Sequence, residues 1–165
     1  MGGRADGRKG RFIMLKGIPN ILTPELLKVL AEMGHTDEMT IGDGNFPGHI
    51  FGKQVIRMDG HGVPEILDAI LQVFPLDTYP NAEGVMVPPC TLMAVEPGDD
   101  AKTPIWDTYK DIVRKYDERG DACFEEINKW DFYDKTRANS RVVIMTSETA
   151  IYANVILRKG VVINK

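Results

Sequence analysis

The chain lacks the residues on which several large protein classes depend. It has two cysteines, Cys90 and Cys123, in 165 residues. They are too few and too far apart in sequence for a disulfide framework, and they read as small hydrophobes in a reducing, cytoplasmic setting. With three histidines in all, no Cys/His cluster at zinc-finger spacing exists. No apolar run approaches the ~18 residues of a membrane span, so no membrane partner is expected. The basic start is not followed by an apolar h-region, so no signal peptide is expected either. Gly42 and Gly44 lack the remaining glycine of a dinucleotide fingerprint, and no Gly-rich phosphate loop is present. A formal charge of −4 gives no reason to expect a nucleic acid or other polyanion as partner.

What is there is ordinary for one globular domain: 43% hydrophobic and 27% charged residues. Residues 1–13 stand apart. They are Gly-rich, set Arg4, Arg8, Lys9 and Arg11 against Asp6, and predict a disordered basic arm. Such an arm can touch nucleic acid, but one this short, with Phe12 as its only aromatic, reads as a leader without a role in the fold. The domain proper covers 14–165.

Strands and helices alternate along that domain. Thr23-Pro24-Glu25 opens a helix whose buried stripe is Leu26, Leu27, Leu30 and Met33 and whose natural stop is Gly34. A strand is expected over Glu38 to Gly42 and another over Lys53 to Met58. A helix follows over Val63 to Phe74. Val85 to Val87 and Thr91 to Val95 are strand segments split by Pro88-Pro89. Thr103-Pro104 opens a helix closed by Gly120, with Cys123 to Ile127 a strand and Trp130 to Ala138 a short helix. Arg141 to Thr146 and Tyr152 to Arg158 are strongly apolar strands, the latter ended by Gly160. The pattern predicts a layered α/β/α single domain with a central, largely parallel or mixed sheet.

The stretch Met33 to His49 concentrates polar chemistry. His35 sits just past a helix end, and Asp43 follows a strand into the loop Gly44-Asn45-Phe46-Pro47. In open α/β sheets ligands bind beyond the strand ends. A histidine and an aspartate brought together there would handle the protons of a small polar substrate. Taken alone, the same residues read rather as a helix-end cation and a turn former. Asp37 and His49 lie in the same stretch. The four are spread over a helix end, a strand and a loop, and nothing in their spacing forces them to converge on a metal. His49 and His61 lie beside glycines in loops and read as solvated.

Several segments carry a resemblance. They are Leu15-Lys16-Gly17-Ile18-Pro19, Pro24-Glu25-Leu26-Leu27, Met33-Gly34-His35-Thr36-Asp37-Glu38, Asp43-Gly44-Asn45-Phe46-Pro47, Ile56-Arg57-Met58-Asp59-Gly60, Pro75-Leu76-Asp77-Thr78-Tyr79, Phe132-Tyr133 and Tyr152-Ala153-Asn154-Val155-Ile156-Leu157. Together, in this order, the chain resembles the L-fucose mutarotase / D-ribose pyranase family, its fucose branch in particular. The resemblance implies a mutarotase domain that interconverts the anomers of L-fucose and related sugars through the open-chain form. It implies His35 as the catalytic histidine and Tyr133 as the functional tyrosine, with Asp43, Asp77, Tyr152 and Asn154 contacting the sugar. Lys129 stands where the fucose branch usually has arginine, which replaces a planar two-pronged donor with a point charge. Gly44 replaces a common alanine and Ser147 a common glycine. The family also implies symmetric homo-oligomers with sites completed across subunits. The apolar strands agree, since burial on both faces is expected of them. Read without the resemblance, Tyr133 is equally core and Asp77 equally a turn residue. A ribose pyranase and a sugar-binding protein without catalysis are the rival functions.

The chemistry suits these residues. Anomer exchange takes a proton from O1 and gives one to the ring oxygen, through a neutral aldehyde. A histidine titrating near neutrality serves in either direction, and a phenol such as Tyr133 completes the relay. Asp43 and Asn154 are short groups suited to holding hydroxyls, and Tyr152 and Phe46 suit the apolar face of a sugar. No cofactor and no metal are expected.

Overall fold

In the computed structural model, residues 14–163 are described; the arm expected over 1–13 lies outside them. The chain runs α1 (Pro24–Glu32), β1 (Glu38–Gly42), α2 (Gly48–Phe51), β2 (Val55–Met58), α3 (Val63–Leu71), β3 (Cys90–Met93), α4 (Pro104–Arg114), β4 (Phe124–Ile127), α5 (Lys129–Asn139), β5 (Ser140–Thr146) and β6 (Val155–Arg158). A 3-10 turn, Gly120–Cys123, leads into β4.

Helices start largely where the sequence marks them. The Thr23 hydroxyl accepts from the Leu26 N–H at 3.2 Å, and Pro24 sits in the first turn, where no N–H is missed. Asn128 caps α5 by accepting from the Asp131 N–H at 3.0 Å. Two expectations fail at this level. Thr103 makes no side-chain cap on α4, so Pro104 alone marks that start. Nor does α1 close on a left-handed Gly34: Met33 is extended, and Thr36 takes the positive φ of 72° instead.

The sheet has six strands in the order β2-β5-β1-β6-β3-β4. β1 and β2 pair with β5 in parallel, as β3 does with β4, while β6 runs antiparallel to β1 and β3. The sheet is therefore mixed, as expected of a single α/β/α domain. Alternation divides it into two faces. Met39, Ile41, Ile56, Val142, Ile144, Val155 and Leu157 pack with α1, α3 and α4 in the larger core. Val143, Met145 and Ile156 turn the other way and meet Phe46 and Phe132. β5 and β6 are thus buried on both faces by the chain's own helix layers. The burial expected of those strands is present, and a second copy is not needed to provide it.

α5 docks on the smaller face partly through polar groups. Thr40 of β1 shares hydrogen bonds with Thr136 at 3.0 Å and Ser140 at 2.7 Å, and Lys135 pairs with the buried Glu38 at 3.2 Å. Three elements differ from expectation. α2 is a single turn after Pro47, too short to show periodicity. Val85 to Val87 form no strand beyond one isolated bridge from Met86 to Pro80. β6 begins at Val155, because Tyr152 adopts a left-handed φ of 55° that no strand accommodates.

Candidate functional site

Two polar centres lie at opposite ends of β1. At its C-terminal end, Asp43, Asn45, Phe46, Met93, Asp99, Tyr133, Ile151, Tyr152 and Asn154 line a cavity of about 290 Å³. Gly42 makes room for it: a Cβ there would lie 2.8 Å from Phe46, whose ring folds back on the strand end. Phe46 in turn meets Phe132 and Tyr133 edge-on, at 5.9 and 5.8 Å between centroids.

Asp43 is 6% exposed and Asn154 5%. The Asn154 amide oxygen accepts the Asp43 backbone N–H at 2.8 Å, and the Asp43 carboxylate accepts the Asn45 N–H at 3.0 Å. This ties the end of β1 to the start of β6. Burial pushes the Asp43 carboxyl above its ordinary range, opposed by hydrogen bonds from the Asn45 and Ala153 backbone and the Asn154 side chain. Tyr133 comes from α5, its ring stacked on Phe51 at 4.7 Å. Burial is also the main reason its phenol is raised, while the Lys129 cation pulls it down. No hydrogen bond holds the Tyr133 hydroxyl among the described residues.

Tyr152 is held at three points. Its carbonyl accepts from the Trp106 indole at 2.7 Å, its hydroxyl donates to Asp99 Oδ2 at 2.7 Å, and that hydroxyl accepts from the Glu96 N–H at 3.3 Å. Tyr109 donates to the next carbonyl, Ala153, at 2.7 Å. Lys129 is beside the cavity but not on its wall. Its ammonium pairs with Glu96 at 3.0 Å and lies 4.9 Å over the Trp130 ring.

The second centre lies at the N-terminal end of β1. His35 Nε2 meets Asp77 Oδ1 at 3.0 Å, Arg158 Nε meets Asp77 Oδ2 at 3.1 Å, and the Tyr79 N–H donates to Asp77 Oδ1 at 3.1 Å. Asp77 is 2% exposed, whereas the His35 side chain is 39% exposed. An ionised carboxylate only accepts, so Nε2 of His35 donates to Asp77, and in the neutral imidazole Nδ1 is then the acceptor. Gly160 lets the two backbones close up there, with its N–H donating to the Pro75 carbonyl at 2.8 Å and the Asp77 N–H donating to Arg158 at 3.0 Å.

The expectation that His35 and Asp43 share one crevice therefore fails within a single chain. The five residues of β1 separate them by on the order of 17 Å at the usual rise of an extended strand. Asp43, Tyr133, Tyr152 and Asn154 come together; His35 and Asp77 pair elsewhere, and both Asp77 oxygens are taken within the chain. His49 faces Arg57 at 3.3 Å. Among the described residues no group of three His, Cys, Asp or Glu side chains is placed to hold a metal, and no helix is long and apolar enough to cross a membrane. Sequence reading passed over Asp99, Glu96, Trp106 and Arg158. For Trp106 a signal existed: a buried indole N–H needs an acceptor.

Short carboxylate and amide groups set between aromatic faces suit a small, neutral, polyhydroxylated ligand. The profile of the RbsD / FucU transport protein family matches residues 16–162, and the chain belongs to that family. It is 42% identical over 156 residues to a fucose mutarotase of Danio rerio, covering 92% of this chain and 96% of that protein. Among solved structures, FucU from Bifidobacterium longum superposes with a TM-score of 0.83 at 52% identity, over 90% of this chain and 100% of that one. The fucose mutarotase from Streptococcus pneumoniae in complex with L-fucose gives 0.79 at 38% identity, over 90% and 100%.

Proposed function

We propose that the chain is an L-fucose mutarotase, interconverting the sugar's anomers by acid–base catalysis in a site shared between subunits of a symmetric, cytoplasmic homo-oligomer. One observation carries the shared site: the cavity holds no histidine, while the one histidine oriented by a buried carboxylate faces outward from the far end of β1. A second copy supplies His35 to the cavity of the first. There Asp43 and Asn154 hold hydroxyls, and the rings of Phe46 and Tyr152 take the apolar face.

The steps follow from the protonation states. His35 Nδ1 accepts the O1 proton while Asp77 stabilises the imidazolium that forms. Tyr133, whose phenol is raised by burial and so stays protonated at neutral pH, donates to the ring oxygen. The ring opens to a neutral aldehyde, the carbonyl turns, and the reverse transfers close it on the other face. Asp77 acts on the sugar through His35, and Lys129 biases the potential at Tyr133 without touching the wall of the cavity.

Saturation-transfer NMR tests the reading. L-fucose should show exchange between its anomer signals well above the spontaneous rate, and D-ribose much less. Binding of L-fucose without faster exchange would overturn catalysis and leave a sugar-binding protein. A stronger effect on D-ribose would overturn the choice of sugar.

A further inference from the structure

We propose that Asp99 is a positioning residue for the sugar site: it takes the Tyr152 phenol proton, fixes that ring in the cavity wall and leaves its hydroxyl only as an acceptor. This rests on the cavity being the sugar site. Nothing in the sequence singled out Asp99, which falls in a charged loop over Glu96 to Lys102.

The loop is built to aim it. The Asp99 N–H donates to the Glu96 carbonyl at 3.0 Å, closing a tight turn, and Gly98 takes the φ of 88° that the turn requires. Asp99 Oδ1 is anchored by the Ala101 N–H at 2.9 Å, which leaves Oδ2 for the Tyr152 hydroxyl at 2.7 Å. A phenol has one proton and two lone pairs. Asp99 takes the proton, the Glu96 N–H takes one lone pair at 3.3 Å, and a single acceptor position remains for a ligand. The Asp99 hydrogen bond is also the main reason the Tyr152 phenol is raised. Tyr152 therefore offers a ring face and an acceptor and never an acid. That assignment leaves Tyr133, whose hydroxyl has no hydrogen-bond partner among the described residues, as the phenol free to give its proton to the sugar.

The ring also needs holding. Its residue sits at a left-handed φ of 55° with its carbonyl on Trp106, so the backbone is fixed from one side and the hydroxyl from the other. Without Asp99 the ring has only the Glu96 N–H at its far end.

The test is a double-mutant cycle on exchange of L-fucose, using Asp99→Ala, Asp99→Asn, Tyr152→Phe and the double variant Asp99→Ala/Tyr152→Phe. Loss of one charge-assisted hydrogen bond should raise KM about tenfold in Asp99→Ala, with kcat nearly unchanged. Asp99→Asn has one oxygen for the two donors that Asp99 serves, the Ala101 N–H and the Tyr152 hydroxyl, so its KM should lie between those of Asp99→Ala and the parent. Asp99→Ala should add nothing to Tyr152→Phe. In alkaline titrations followed by ultraviolet absorbance, the phenol lost in Tyr152→Phe should ionise at lower pH in Asp99→Ala than in the parent. An unchanged KM in Asp99→Ala or an effect that adds in full to Tyr152→Phe would each overturn the proposal. The phenol titration and the binding of L-fucose are read without any exchange. A protein that binds L-fucose without catalysis would therefore defeat the proposed function and still test Asp99, with the dissociation constant in place of KM.

Discussion

At the N-terminal end of β1 the Asp77 carboxylate is saturated by His35, Arg158 and the Tyr79 N–H, whereas at the C-terminal end the Tyr133 hydroxyl lines an open cavity and has no hydrogen-bond partner among the described residues. The first end is a small ion-pair network that orients one partly exposed imidazole, which also packs edge-on against Tyr79. The second is a set of short polar groups and aromatic faces held by α5, β6 and the loop after β3. In the proposed function one end moves the proton and the other holds the sugar. They are joined by a strand too stiff and too long to bring them together, and the proposed function therefore takes the two ends from different subunits.

Removing the proton-moving end should have the largest effect. His35→Ala should lower kcat by about 10²-fold or more, while L-fucose still binds and the melting temperature stays put, because the imidazole lies outside the core. Near-parental exchange in this variant would remove His35 from the mechanism.

Asp43→Asn breaks the other end. Loss of a charged hydrogen-bond acceptor should weaken L-fucose binding about 10- to 100-fold, with a smaller change in kcat. The pH dependence follows from the raised Asp43 carboxyl. The ionised acceptor is lost as pH falls through the raised Asp43 value, so affinity in the parent drops at a higher pH than an ordinary aspartate would give, and the drop disappears in Asp43→Asn. Stability has the opposite sign. A carboxyl raised on folding contributes stability below its unfolded pKa and loses it as pH rises through the folded value. At neutral pH the Asn variant should therefore melt higher than the parent. Measuring both in one buffer series separates a binding role from a structural one.

Asp77→Asn blurs the two ends. It leaves Arg158 without a full counter-charge and His35 without a fixed tautomer. Stability should fall by about 1–3 kcal/mol and kcat by about tenfold, with KM for L-fucose unmoved. A rise in KM as large as the fall in kcat would make Asp77 a direct sugar contact.

The smallest effect belongs to Lys129→Arg. The ion pair with Glu96 is partly solvated, so restoring a planar donor should change KM less than about threefold.

Much of this was legible in the sequence where the signal is local. Thr23 caps the helix it precedes, and the run Val142 to Met145 is a doubly buried strand, whereas the Asn128 cap of α5 emerges only in the structure. The cavity residues Asp43, Tyr133, Tyr152 and Asn154 were recognised as a set through the family resemblance, and the fold brings them together. What was not legible depends on contacts distant in the chain. α2 is one turn and leaves no periodicity. Asp99 looks like any loop carboxylate until β6 brings Tyr152 to it. His35 and Asp43 look like neighbours because only a short strand divides them, yet that strand is extended and places them at opposite ends of the sheet. The apolar strands suggested a partner subunit, but α1, α3 and α4 on one face and α2 and α5 on the other already cover them.

The central claim is that one subunit's cavity is completed by another's His35, and subunit mixing tests it most directly. His35→Ala and Asp43→Asn proteins, each impaired alone, are mixed in equal amounts and allowed to exchange subunits, with mixed oligomers verified by native mass spectrometry. With L-fucose kept well below the parental KM, where the weakly binding Asp43→Asn cavities contribute little, random assembly with a site shared between two copies gives about a quarter of parental exchange, because pairs in which the Asp43-intact cavity meets the other variant's His35 are whole. Mixed oligomers with no recovery of exchange above the two variants measured separately would contradict the shared site.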